Sequence, residues 1–248
     1  MNKKLVEIRS LSVAYNGDNV LKDVDLDIYE NDFLGVIGPN GGGKTTLVKA
    51  ILGLVKPVRG SIQLFFDKGS IGYMPQISRF DTKFPISVFD VVLSGMAGKC
   101  KLPGKSSKKG QDKAKELLEQ MGVIHLRKKA IGELSGGEMQ RIFLCRSLIS
   151  QPELLILDEP NTYVDNQFER DLFNELKKLN DRMAIMLVSH DVGTIAYYIK
   201  TIACVNRKLH YHPSNIITEK QLAAYDCPLQ IITHGDVPHT VLKEHDKS

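Results

Sequence analysis

Tryptophan is absent from the 248 residues, and cysteine is scarce, with Cys100, Cys145, Cys204 and Cys227 the only four. None is spaced as C-x-x-C and no secretory leader precedes Leu5, so a disulfide scaffold or cysteine metal knuckle does not fit. A reducing cytosolic compartment is expected. No apolar run approaches the roughly 18–20 residues needed to cross a bilayer, so a membrane role would have to be borrowed from a partner. Charge of one sign is also missing. The 33 basic and 29 acidic residues leave a net +4, too little to imply a polyanion partner by itself. No internal repeat is present. What remains, 42% hydrophobic and 25% charged, is an ordinary globular composition. The chain is long enough for one large or two small domains with a real core.

What the sequence does contain is Gly38-Pro39-Asn40-Gly41-Gly42-Gly43-Lys44-Thr45-Thr46, set between an apolar run, 33–37, and a helix-like run, 47–52. This is G-x-x-x-x-G-K-[ST] in the strand-then-helix setting the pattern requires, a phosphate-binding P-loop. Glycines let backbone N–H groups close around phosphate oxygens, and the helix N-terminus adds positive potential. Lys44, on a loop expected to face solvent, is placed to reach β- and γ-phosphates, and the Thr45 hydroxyl to sit on Mg²⁺.

Upstream, residues 5–9 and 24–28 alternate as antiparallel strands, with turn chemistry at Tyr15-Asn16-Gly17-Asp18. Downstream, Gly53 is a plausible helix C′ stop, and 61–65 and 70–74 read as strands. Residues 88–93, 111–121 and 139–149 carry helical periodicity, interrupted at 99–110 by five lysines, a proline and two glycines, which read as a solvated loop in preference to a contact surface for an anion. From 154 onward, buried runs at 154–157, 184–188 and 201–205 alternate with helix-like 167–179 and 192–199, the pattern of a parallel sheet covered by helices. The fold class is therefore α/β: a mostly parallel sheet flanked by helices, an N-terminal antiparallel β subdomain and a helical subdomain at about 88–150. Residues 1–248 are read as a single domain, with roughly 220–248 a short appendage.

Two further stretches carry chemistry. The apolar strand Leu154-Leu155-Ile156-Leu157 ends in Asp158 and Glu159. Buried unpaired charge is expensive, so the pair suggests work: Asp158 to hold Mg²⁺ or its waters, Glu159 to accept a proton from water attacking the γ-phosphate. Leu134-Ser135-Gly136-Gly137-Glu138 opens a helix, so two glycines and a helix N-terminus make a second anion site with Ser135 as an extra donor.

Taken together, GPNGGGKTT, LSGGE and LLILDEP over nearly the whole chain resemble the ATPase subunit of an ABC transporter. The resemblance implies an ATP- and Mg²⁺-dependent ATPase in which two ATP are sandwiched in a head-to-tail homodimer. Ser135, Gly136, Gly137 and Glu138 of one subunit would meet the γ-phosphate held by the other. It implies Tyr15 as the aromatic stacked on adenine, and Gln76 as the Q-loop residue linking Mg²⁺ and attacking water to the membrane partner. Asp165 would be the D-loop acid and His190 the switch histidine. One departure is Asn161-Thr162-Tyr163-Val164, bulkier than the family generally carries beside the D-loop.

Phe84-Pro85-Ile86-Ser87-Val88, followed by Asp90-Val91-Val92-Leu93, and the ending Thr233-His234-Gly235-Asp236-Val237-Pro238-His239 are similar to the branch that imports zinc or manganese. That implies integral membrane permease subunits, indirectly an extracytoplasmic substrate-binding protein, and a place at the cytoplasmic face of the membrane. No nucleic acid partner is expected. The alternatives are an importer of iron chelates and a soluble ABC ATPase acting on nucleic acid or ribosomes. His210, His212, His234, His239 and His245 gather late in the chain, in spacings that match no closed structural zinc site.

Overall fold

Two twelve-residue strands open the chain, β1 (Lys4–Tyr15) and β2 (Asp18–Tyr29). Between them Asn16 and Gly17 take left-handed backbone (φ 52 and 91), the geometry of a two-residue hairpin loop whose twist matches that of its strands. In chain order there follow β3 (Phe33–Ile37), α1 (Lys44–Ile51), β4 (Arg59–Leu64), β5 (Ile71–Met74), α2 (Val88–Ser94), α3 (Lys108–Gln120) and α4 (Gly136–Leu148). Then come β6 (Leu154–Asp158), α5 (Asn166–Leu179), β7 (Ala184–Val188), β8 (Thr201–Asn206), β9 (Lys208–His212), β10 (Leu229–Thr233) and β11 (Pro238–Leu242). The structure is a computed structural model, and it describes residues 2–76, 85–96, 107–160, 166–190, 195–215, 229–233 and 238–242.

The chain divides into two units, residues 1–65 with 180–248, and residues 66–179. In the first, β2-β1-β4 form an antiparallel sheet. Beside it in sequence, β3 pairs in parallel with β7 (Val36 opposite Val188) and with β8 (Ile37 opposite Cys204), and β9 returns antiparallel on β8. Every residue of β3 and β7 is buried, which explains why both read as unbroken apolar runs rather than alternating ones. In the second unit β5 and β6 pair in parallel, with Met74 opposite Leu157, and α4 packs on β5.

The expected α/β class is the one observed, and several boundaries move for physical reasons. β1 runs well past residues 5–9 because Ser10 (φ 46) bulges the strand, which breaks the alternation a sequence reader follows, and the ladder then restarts at Leu11. Asp23 (φ 53) does the same on β2. Side chains mend both breaks: Ser10 N donates to Asp25 Oδ1 (2.8 Å) and Asp23 N to Ser12 Oγ (3.0 Å). Gly53 does end α1, at φ 69, with Leu54 N donating to Lys49 O (2.8 Å) and Gly53 N to Ala50 O (2.9 Å), the Schellman pattern. α3 starts inside the basic interruption, because Ser107 Oγ accepts from Gly110 N (3.2 Å) and caps it.

The helix expected at 192–199 is described only from 195, where Tyr198 N and Ile199 N both donate to Ile195 O. The appendage contains an element the sequence reading did not assign: β10 and β11 form an antiparallel pair, Ile231 opposite Thr240. Among the described residues, no helix is long and apolar enough to cross a membrane.

Candidate functional site

The glycine loop leaves β3 and enters α1 through Gly43, which caps the helix from the left-handed region (φ 105) without any side-chain hydrogen bond. A side chain at Gly43 would meet Leu21 Cδ2 at 2.6 Å, and one at Gly38 (φ 149) would run into the carbonyl of Val205, so neither position tolerates substitution. The loop is clamped from outside: Arg207 N donates to Gly42 O (2.9 Å) and Lys22 N to Arg207 O (2.7 Å). Lys44 does not face solvent as expected. It is 5% exposed, and its Nζ donates to Gly38 O (2.8 Å) and Pro39 O (3.0 Å), folded over the loop it belongs to.

His190 follows β7, whose register is carried one residue beyond the strand by Ser189 N donating to Val36 O (3.0 Å). The imidazole is exposed, at the same carboxyl edge of the sheet from which the glycine loop emerges and one strand away. Carboxyl edges of parallel strands are where ligands bind in α/β sheets. Tyr15, 42% exposed, lies at the tip of the first hairpin opposite Asp18. Leu21, which packs against Gly43, is three residues farther along β2, so the ring lies roughly 10 Å along the strand from the loop.

In the second unit the parallel register of β5 and β6 brings their exits level. Gln76 Nε2 donates to Glu159 Oε2 at 2.6 Å across 83 positions of sequence. Glu159 adopts φ 50, a left-handed backbone uncommon for a residue with a side chain, which turns it out of the strand line. Asp158 is 2% exposed at the end of β6. Burial, and then the Asp158 charge, push the nearby Tyr73 hydroxyl up to about 12. A hydroxyl on Thr45 and a carboxylate on Asp158 are hard oxygen donors of the kind Mg²⁺ takes.

The Ser135 to Glu138 stretch is a capping box. Ser135 Oγ accepts from Glu138 N (3.3 Å), while the Glu138 carboxylate accepts from Ser135 N (2.8 Å) and Oγ (2.9 Å). Those bonds, the backbone one first, hold the Glu138 carboxyl below its usual range. Ser135 is thus not a spare donor, as expected from sequence, but is engaged by its own helix. Asp165 and Tyr163 lie outside the described residues, as do His234 and His245. Among the described residues no group of three or more His, Cys, Asp or Glu is arranged to hold a metal ion.

A glycine cradle on an uncapped helix and a strand ending in two acids are the parts of a nucleotide-hydrolysing cassette, and the ABC transporter profile matches residues 21–162. The chain belongs to the ABC transporter family. This ABC ATPase is 36% identical over 222 residues to a Thermotoga maritima protein named "Probable metal transport system ATP-binding protein", covering 88% of this chain and 89% of that one. It is 36% identical over 225 residues to the zinc uptake system ATP-binding protein ZurA of Listeria monocytogenes, covering 86% of each. To the manganese transport system ATP-binding protein MntB of the same species it is 38% identical over 216 residues, 84% of this chain and 89% of that one. Among solved structures, a metal-chelate type ABC transporter in an inward-facing conformation superposes with a TM-score of 0.82 at 27% identity, covering 97% of this chain and 96% of the other.

Two features of this ABC ATPase escaped the sequence reading. The Arg207 clamp had only a faint signal, a polar break at Asn206-Arg207-Lys208 between two apolar runs, and nothing local pointed at the glycine loop 165 positions earlier. The Gln76–Glu159 hydrogen bond is invisible until β5 and β6 are known to be neighbours.

Proposed function

We propose that this ABC ATPase powers import of zinc or manganese through a separate integral membrane permease, working as a head-to-tail homodimer at the cytoplasmic face of the membrane. Residues Gly38 to Thr46 cradle the phosphates of ATP, with Lys44 leaving its two carbonyls for the β- and γ-phosphates. Tyr15 stacks on the adenine. Glu159 takes the proton of the attacking water, and His190 and Gln76 orient the γ-phosphate and that water. Thr45, Gln76 and Asp158 would hold Mg²⁺, which when bound would supply charge neutralisation for the β- and γ-phosphates. Ser135, Gly136, Gly137 and Glu138 act on ATP held by the other copy, and Asp165 crosses the dimer. An extracytoplasmic binding protein delivers the metal to the permease, and nucleic acid plays no part.

The observation that carries the catalytic half is the Gln76–Glu159 hydrogen bond, which joins two polar side chains where β5 and β6 end and so supports a shared role for them. The substrate half is supported by relatives named for zinc and manganese that are 36% and 38% identical over most of the chain. A second reading, import of a chelated metal, is favoured by the metal-chelate type transporter at 27% identity. Radiometal uptake by cells decides between them. Glu159→Gln should abolish accumulation of Zn²⁺ or Mn²⁺, while His234, His239 and His245 changed together to alanine should leave it largely intact. Unchanged Zn²⁺ and Mn²⁺ uptake in a deletion strain that loses iron-chelate uptake would move the assignment to chelates and leave the ATPase standing.

A further inference from the structure

Gln140 is 2% exposed, and among the described residues no donor reaches its Oε1. A buried amide oxygen left in that state is costly, and a catalytic role is one of the explanations such a group calls for. Its place in α4 identifies the neighbourhood. Ser147 lies seven residues on, two turns along the same face, and its carbonyl stands against Gly72 of β5 so closely that a side chain there has no room. Glu153 N donates to Ser70 O (2.8 Å), so β6 starts level with β5, and the short connection from α4 into β6 makes the helix run back along β5, on which it packs. Retracing α4 from Ser147 to Gln140 therefore advances roughly 10 Å along the strands, about three residues at their spacing. That is the level of Pro75-Gln76 and Asp158-Glu159, where Gln76 Nε2 is committed to Glu159 Oε2 at 2.6 Å.

We propose that Gln140 is a positioning residue for hydrolysis: its Oε1 takes over the Gln76 amide N–H when Glu159 turns from Gln76 to the attacking water. One N–H exchanges one acceptor for another, and no bond to substrate is made or broken. The transfer frees the carboxylate without leaving Gln76 adrift, and it ties the signature helix to the base through its own side chain. The inference rests on the ATPase reading above.

The test uses the full-length protein with ATP and Mg²⁺. Gln140→Met keeps the volume and removes the acceptor. The expected result is a fall in kcat of about 10- to 100-fold, the usual cost of a reacting group out of place, with KM for ATP unchanged. The Tm should stay level or rise, because an orphaned buried acceptor has gone. Gln140→Leu, also free of an acceptor, should repeat this if methionine disturbs the packing. In a Gln76→Ala background neither substitution should cost anything further, since residues acting through one another are not additive. A wild-type kcat in both variants, a kcat loss that only follows a falling Tm, or full additivity with Gln76→Ala would each overturn the role. Absence of hydrolysis in the unaltered protein would instead remove the ATPase reading itself.

Discussion

The N-termini of α1 and α4 are made of the same materials, a glycine pair and a turn of backbone N–H groups, and they are finished in opposite ways. α1 has no side-chain cap and no acid in its first turn, and the nearest charge is a buried lysine. α4 carries its own anion, with Glu138 bound back to Ser135 by backbone and hydroxyl. The macrodipole favours a negative group at either end. One end is therefore built to take that group from a ligand, whereas a phosphate arriving at the other must share or displace a carboxylate. On the proposed function, the P-loop end would hold ATP tightly and the signature end would make the weaker, later contact.

The sharpest way to break this comparison is to remove the proposed base and leave both helix ends intact. Glu159→Gln should slow hydrolysis by about 10²- to 10⁴-fold, the range for a positioned general base, while ATP binding persists. The variant should then accumulate as an ATP-bound dimer in size-exclusion chromatography, and one that stays monomeric in saturating ATP would argue against a two-sided site.

Next in size, Lys44→Ala should weaken ATP binding about 10- to 100-fold through loss of charge-assisted hydrogen bonds. Its circular dichroism should remain that of a folded chain, and unchanged affinity by calorimetry would dismiss the P-loop role.

The smallest effect belongs to α4. Ser135→Ala should cost about 0.5–2 kcal/mol of stability, as lost N-caps do. Because the Glu138 carboxyl is held below its usual range, its contribution is complete above the unfolded value of about 4.3. It fades as pH falls through the lower folded value. Glu138→Gln should therefore lower Tm at pH 7, where the carboxylate contributes in full, and the gap to the unaltered protein should close as pH falls below about 4.3; equal Tm values at pH 7 would show that the ionised capping box contributes nothing measurable.

The readable features were those in which chemistry and local backbone coincide. Gly38 to Thr46 announces a loop between a strand and a helix, and Asp158-Glu159 announces a strand that ends in charge. Gly53 announces a helix stop, and all three stand where the residues place them. What could not be read depends on pairing between distant segments. The ladder of β1 hides behind the bulge at Ser10, Gln76 meets Glu159 only through the β5–β6 register, and Arg207 finds Gly42 only because β8 lies against β3. Ser135 shows a different limit: a donor and a cap are the same atoms, and only geometry tells that Glu138 is the partner in this structure.

The pairing of Phe33 with Ile185 and of Ile37 with Cys204 also sets a timetable for the ribosome. The glycine loop is synthesised early, but the strands on both sides of β3 and the Arg207 clamp follow about 150 residues later, on the order of 10–30 s at usual elongation rates. During that interval an all-apolar strand has exposed edges, a condition that invites misassociation. Nascent chains arrested before residue 184 should therefore fail to retain ATP despite carrying the entire motif, and chains released past Arg207 should acquire it abruptly.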